Sequence, residues 1–198
     1  MKLLDRVLQR WRIEKARPYI SGGARVLDIG CADGALFRVL DSRIVEGVGM
    51  DANLGQPVRL GKIQLVPGRF PRDLGDVGNF DVVTMLAVLE HVPPGEHAII
   101  AKACARLLRS AGRLILTVPS PNVDRILGGL KFVHLIDGMS IEQHYGFDVR
   151  TTPAIFTAEG FQLIKHKRFQ FGLNNLFLFR KAGEEKSIGI RPNRSMQK

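Results

Sequence analysis

Cysteine is scarce in this chain. Among 198 residues there are two, Cys31 and Cys104. Two thiols with no His/Cys ligand spacing around them exclude a structural zinc site, and the expected metal content is none. One lies in a glycine-rich turn and the other in a helical stretch, which argues against a structural disulfide and fits a reducing cytoplasm. No apolar run approaches the roughly 18 residues of a membrane span. The first residues are charged from Lys2 onward, and Asp5 and Arg6 interrupt any apolar leader of the kind a signal peptide needs. No internal repeat is present.

Acidic residues are also under-represented: 19 Asp and Glu against 29 Lys and Arg, a net charge of +10. Such an excess is often a nucleic-acid footprint. Its location argues otherwise. Residues 1–20 carry six basic and two acidic side chains, and residues 180–198 carry the same numbers. The stretch between them holds 17 basic and 15 acidic residues and is close to neutral. The basicity sits at the two ends, whereas an enzyme of nucleic acids more often has a basic groove beside its site.

Hydrophobic residues make up 45% of the chain, enough for one domain with a substantial core. The informative stretch is Val26-Leu27-Asp28-Ile29-Gly30-Cys31-Ala32-Asp33-Gly34. An apolar run stops at a small-residue turn and passes into the helical pattern of Ala35 to Leu40. This reads as strand, tight turn and helix, with Gly30 and Gly34 giving a ligand room beside the backbone. A second apolar strand, Ile44 to Met50, ends in Asp51. A carboxylate about 20 residues past such a turn can accept hydrogen bonds from both hydroxyls of a ribose. Together the two features predict a nucleoside-containing cofactor in an open α/β sheet.

The turn is not the G-x-G-x-x-G of the dinucleotide fingerprint and reads Asp-x-Gly-x-Ala-x-Gly. In this it resembles motif I of the class I S-adenosylmethionine-dependent methyltransferases. The likeness continues in order. Gly47 to Asp51 resembles their ribose-binding strand end, Phe80 to Val92 their fourth strand and the loop after it, and Leu107 to Pro119 their fourth helix and fifth strand. It spans roughly residues 20–182. The resemblance implies a doubly wound, seven-stranded, mostly parallel sheet with an antiparallel last strand at the sheet edge, in a single domain. It also implies S-adenosyl-L-methionine as cofactor and methyl transfer as activity. The cofactor-binding residues it implies are Asp28, Gly30, Cys31, Ala32, Gly34, Asp51, Ala52, Phe70, Met85, Leu86 and Ala87. Two positions depart from the pattern. Ala32 replaces the middle glycine, and Arg69 stands where the family commonly has an acidic partner for the adenine amino group. A cation cannot accept from an amino group. Phe70 stacking, or Asp73 nearby, could substitute.

Along the chain, residues 1–20 read as an amphipathic helix with Leu3, Leu4, Val7, Leu8 and Trp11 on one face. Its expected place is packed on the edge of the fold. The alternative is a membrane-surface anchor, since basic residues flank the Leu/Trp stripe. Residues 21–182 are the methyltransferase domain that the resemblance implies. Strands are expected at 24–30, 44–51, 63–67, 80–86 and 113–118, and helices at 34–41 and 95–109. A short or irregular helix is expected in the Gly- and Pro-containing segment 53–62. Phe161 to Phe169 and Asn175 to Arg180 are joined by a connection too short for a parallel crossover, so they form an antiparallel pair. Residues 120–150 leave the cofactor edge of the sheet and read as a lid over the acceptor. Residues 183–198 read as a disordered basic tail.

Methyl transfer from a sulfonium is an in-line displacement with a neutral leaving group. The protein mainly aligns acceptor and methyl in a dry site, and a base is needed only where the acceptor must lose a proton. The catalytic candidates are His144 with Tyr145, ahead of a helix starting near Thr152-Pro153 with Thr152 as its cap. His91, after Glu90, reads more readily as structural. The Asn-Pro-Pro-Tyr type of sequence that serves planar nitrogens is missing after the fourth strand. The expected acceptor is therefore a small molecule methylated on O, N or C, lipid-like or quinone-like given Leu130, Phe132, Val133 and Leu135. Two other readings stay open: a non-catalytic cofactor-binding subunit, and an RNA methyltransferase using its basic ends as arms.

Overall fold

The computed structural model describes residues 3–120 and 147–183. Helix α1 (Leu3–Ala16) opens the chain and runs into a single 3-10 turn at Pro18. Then come β1 (Ala24–Ile29), α2 (Ala35–Leu40), β2 (Ile44–Asp51), β3 (Val58–Leu60), β4 (Ile63–Pro67) and β5 (Phe80–Leu86). After β5 follow α3 (His97–Leu107), β6 (Leu108–Pro119), α4 (Thr152–Thr157), β7 (Phe161–Phe169) and β8 (Asn174–Lys181). The catalytic candidates His144 and Tyr145, most of the expected lid, the apolar residues Leu130 to Leu135 within it, and nearly all of the tail lie outside the described residues.

The strands make one sheet in the order β3-β4-β2-β1-β5-β6-β8-β7. Strands β4, β2, β1, β5 and β6 are mutually parallel, and β8 runs against both of its neighbours. Period-two alternation divides the core between the two faces. Leu27, Ile29, Met50, Met85, Leu116 and Phe179 turn toward α3 and α4, where Ile100, Cys104 and Phe156 meet them. Val26, Val82, Ile115 and Leu178 turn the other way, toward Ile13 and Ala16 of α1 and Leu36, Phe37 and Leu40 of α2. The two thiols are buried and free, one in each half of the core. Among the described residues no helix is long and apolar enough to cross a membrane.

The expected mostly parallel sheet with an antiparallel last strand is present, with three local differences. Residues 53–62 contain no helix. Gly55 and Pro57 disfavour one, and Val58 to Leu60 instead pair antiparallel with β4 around Gly61 (φ +58°), adding an eighth strand. The reversed strand is one position inside the edge, between β6 and β7. Residues Asn174 to Phe179 of β8 are buried on both faces, whereas Ile164 to Arg168 of β7 are exposed. A strand that is apolar on both sides belongs inside a sheet, and one carrying Lys165, Lys167 and Arg168 suits an edge. Thr152 is not a cap but the first residue of α4, with its side chain buried. The capping role falls to Asp148, whose carboxylate accepts from the Arg150 N–H at 3.0 Å and closes the 3-10 turn before α4.

The N-terminal helix meets the core through its second half. Ile13 and Ala16 are buried, while Val7 and Trp11 of the predicted stripe face outward.

Candidate active site

All five parallel strands end on one edge of the sheet, and the glycine turn lies there. Gly30 N–H (2.8 Å) and Cys31 N–H (3.2 Å) both donate to the carbonyl of Met50, which folds the turn over the end of β2. Gly30 (φ +74°), Ala32 (φ +47°) and Gly34 (φ +74°) are all left-handed. Gly34 N–H closes back on Cys31 O at 2.8 Å, and Gly34 then leads into α2. The two glycines are needed for conformation and for the protein's own packing. A Cβ on Gly30 would lie 2.3 Å from Val88 Cγ2, and one on Gly34 would lie 3.2 Å from Leu65 Cδ1. Ala32 tolerates the left-handed region at a cost of about 1–2 kcal/mol.

Asp51 is held against this turn. Its Oδ2 accepts the Ala32 N–H at 2.8 Å and its Oδ1 accepts the Asn53 N–H at 2.8 Å. Each carboxylate oxygen has a second lone pair, so both can accept once more. The main chain of Asp51 also anchors the loop after β4, where Gly68 N–H donates to its carbonyl at 3.1 Å. Ala52 is exposed beside it.

Asp28 is buried at the heart of the site. In register it faces Gly49 on one side and Thr84 on the other. Thr84 Oγ1 donates to Asp28 Oδ1 at 2.6 Å. Burial, with a smaller push from the Asp51 charge, outweighs that hydrogen bond and raises the Asp28 carboxyl to about 7. The acid is therefore poised between its neutral and ionised forms near neutrality. Cys31 is buried too, and its Sγ fills the space above Gly49, 2.7 Å from where a Cβ would be. Burial and the nearby carboxylates push its thiol well up, so it fills space and does not act as a nucleophile.

The other predicted positions separate. Met85 is fully buried and belongs to the core, whereas Leu86 and Ala87 are partly exposed at the end of β5. Ala87 is left-handed (φ +60°) and its N–H is fixed by Thr117 O at 2.8 Å. Phe70 packs partly buried against the core on the loop after β4. On that loop Arg69 is exposed. Asp73 accepts the Arg69 N–H at 2.8 Å and the Arg72 guanidinium at 3.2 Å, contacts that hold its carboxyl below the ordinary range.

Two participants were not read from the sequence. Thr84 is one; a lone hydroxyl inside the apolar run Val82 to Leu86 was its signal. The other is Arg12 of α1, which feels the charge of Glu90 after β5. Burial lowers the Arg12 guanidinium, while the carboxylates of Glu90 and Asp5 pull it back up. The field of the buried Glu90 carboxylate after β5 thus reaches a cation of the first helix, a long-range relation with no local signal.

Comparison with known proteins agrees with this architecture. A family model described as a methyltransferase domain matches residues 2–167. The ubiquinone biosynthesis O-methyltransferase of Pseudomonas aeruginosa (strain LESB58) is 32% identical over 111 residues, covering 50% of this chain and 46% of that protein. The protein of the same name from Dechloromonas aromatica (strain RCB) is 33% identical over 110 residues, again 50% and 46%. The chain thus matches about half the length of these relatives. Magnesium protoporphyrin IX methyltransferase from Synechocystis PCC 6803, solved with bound SAH, superposes with a TM-score of 0.61 at 18% identity over 89% of this chain and 83% of that one. A Haloferax volcanii methyltransferase, solved with its Trm112 activator, gives 0.66 at 14% identity over 87% and 89%.

Proposed function

The chain belongs to the family of methyltransferase domains, and from that premise we propose that it uses S-adenosyl-L-methionine to methylate a small-molecule acceptor. The observation that carries the cofactor assignment is the Asp51 carboxylate clasped to the Ala32 N–H at the end of β2. A carboxylate with one free lone pair on each oxygen suits the paired hydroxyls of a ribose, and a buried acid held near neutrality at Asp28 suits a cationic amino group. The residues of the site therefore fit this cofactor, whose contribution is a methyl group on a positively charged sulfur.

The protein's own part is alignment and exclusion of water. Asp51 and the Gly30–Gly34 turn, with Cys31 and Ala32 contributing backbone, hold the nucleoside. Ala52, Phe70, Leu86 and Ala87 line it, and Met85 backs them from the core. Asp28 orients the amino end. The expected lid, residues 120–150, lies mostly outside the described residues; within it His144, with Tyr145, is the proposed group to take the proton of an acceptor hydroxyl. The relatives' names favour oxygen as the methylated atom and a quinone-like or lipid-like acceptor. The two buried free thiols support a cytoplasmic location.

The test is transfer itself. The full chain is incubated with methyl-labelled S-adenosyl-L-methionine and a cell extract, and the labelled product is fractionated. Label in an apolar low-mass compound is expected. Label confined to RNA, or none at all, contradicts the proposal.

A further inference from the structure

The outward face of α1 is unusual for a helix on a soluble domain. Arg6, Val7, Arg10 and Trp11 are all exposed, at spacings that put two cation–apolar pairs one helical turn apart. Val7 is 50% exposed and Trp11 36%. The β7–β8 connection extends this face. Phe171 at its tip is 96% exposed, and its ring meets Trp11 edge-to-face with centroids 6.3 Å apart. The tip is built to present that ring. Gln170, Phe171 and Gly172 are consecutively left-handed, which a bulky aromatic residue rarely accepts. Gln170 is buried, accepts Asn174 Nδ2 at 2.6 Å and reaches Leu8 O of α1 at 3.5 Å. Ser120, at the end of β6, donates to Gly172 O at 2.7 Å. The two rings therefore stand on fixed backbone, at the sheet edge that carries the glycine turn.

We propose that the face formed by Arg6, Val7, Arg10, Trp11 and Phe171 docks on an anionic lipid bilayer. The two aromatic rings enter the interface, and the arginines meet lipid phosphates. Charge complementarity selects this occupant. Residues 1–20 carry an excess of four positive charges, and Arg6 and Arg10 share a cleft of about 310 Å³ with Arg38. Part of that charge is answered locally, because Arg10 pairs with Glu14 at 2.9 Å and Arg38 with Asp33 at 2.5 Å. A second copy of the chain would bring the same cations to the contact. Three apolar side chains are also far fewer than the 20–30 residues a side of a stable protein interface, roughly. Shallow aromatic insertion beside basic residues is how amphipathic helices bind membrane surfaces. The inference concerns where the enzyme works and does not depend on which acceptor it methylates.

Trp11 is the only tryptophan, so its emission reports the contact directly. The full chain is titrated with phosphatidylcholine vesicles with and without phosphatidylglycerol, and binding is checked by co-sedimentation. A blue shift and sedimentation with the anionic vesicles alone are expected, both reversed at about 0.5 M salt. Phe171→Ser should weaken partitioning about tenfold, as should Arg6→Glu with Arg10→Glu. All these positions are exposed, and binding of S-adenosylhomocysteine serves as the control for folding. No shift with anionic vesicles overturns the proposal. So does wild-type partitioning by both variants, and so does a blue shift that tracks protein concentration without lipid, which would mark a second copy as the occupant.

Discussion

Thr84 Oγ1 and Asp28 Oδ1 stand 2.6 Å apart across neighbouring parallel strands, and this contact leaves the Asp28 carboxyl at about 7 because burial outweighs it. The folded state favours the neutral acid, so the stabilising contribution is fully present below the unfolded value of 3.8 and is lost as pH rises through about 7. Asp28→Asn keeps an acceptor for Thr84 and removes the charge. Thermal unfolding should therefore find it more stable than wild type at pH 8, by roughly 2–4 kcal/mol at most, with the gap closing toward pH 4. A gap independent of pH would refute the assignment.

Asp28 also predicts a proton linkage in ligand binding. A cationic ligand favours the ionised carboxylate. Binding of S-adenosyl-L-methionine near pH 7 should release a fraction of a proton, visible as heats that depend on the ionisation enthalpy of the buffer. Asp28→Asn should abolish that dependence.

Gly30 and Val88 should behave as a coupled pair. Gly30→Ala combines a left-handed alanine with a clash against Val88, and should destabilise by roughly 2–5 kcal/mol. Adding Val88→Ala should recover the steric part, about 1–3 kcal/mol, and leave the backbone part. Chemical denaturation of the four proteins measures this. Simple additivity would mean that the glycine serves conformation alone.

For an acceptor that must lose a proton, His144→Ala should lower turnover by about 10²–10³ with little change in cofactor affinity. The rise of rate through a pKa near neutrality should vanish with it. Full turnover by the mutant would leave alignment as the sole source of catalysis.

The turn from Gly30 to Gly34 and the carboxylate of Asp51 were legible because both are local. A strand that ends in small residues has few alternatives, and a polar residue closing an apolar strand marks its edge. The contact of Asp28 with Thr84 was not legible, since it depends on the register of two strands more than fifty residues apart. The short β3 was hidden by glycine and proline, which disfavour helix without announcing strand. The order of β7 and β8 was written in their side chains: Leu176 to Phe179 is continuously apolar, while Lys165 to Arg168 is charged. The outward placing of Val7 and Trp11 was not legible because amphipathicity marks two faces without saying which one the rest of the chain covers.

Asp51 and the glycine turn are proposed as the nucleoside site of a methyltransferase. Calorimetric titration of S-adenosylhomocysteine into the full chain, beside Asp51→Ala, tests it most directly. One site per chain is expected, with a dissociation constant raised tenfold or more in the variant, since each hydrogen bond to a carboxylate contributes about 1.5–3 kcal/mol. No binding by the wild type, or an unchanged constant in Asp51→Ala, would contradict it.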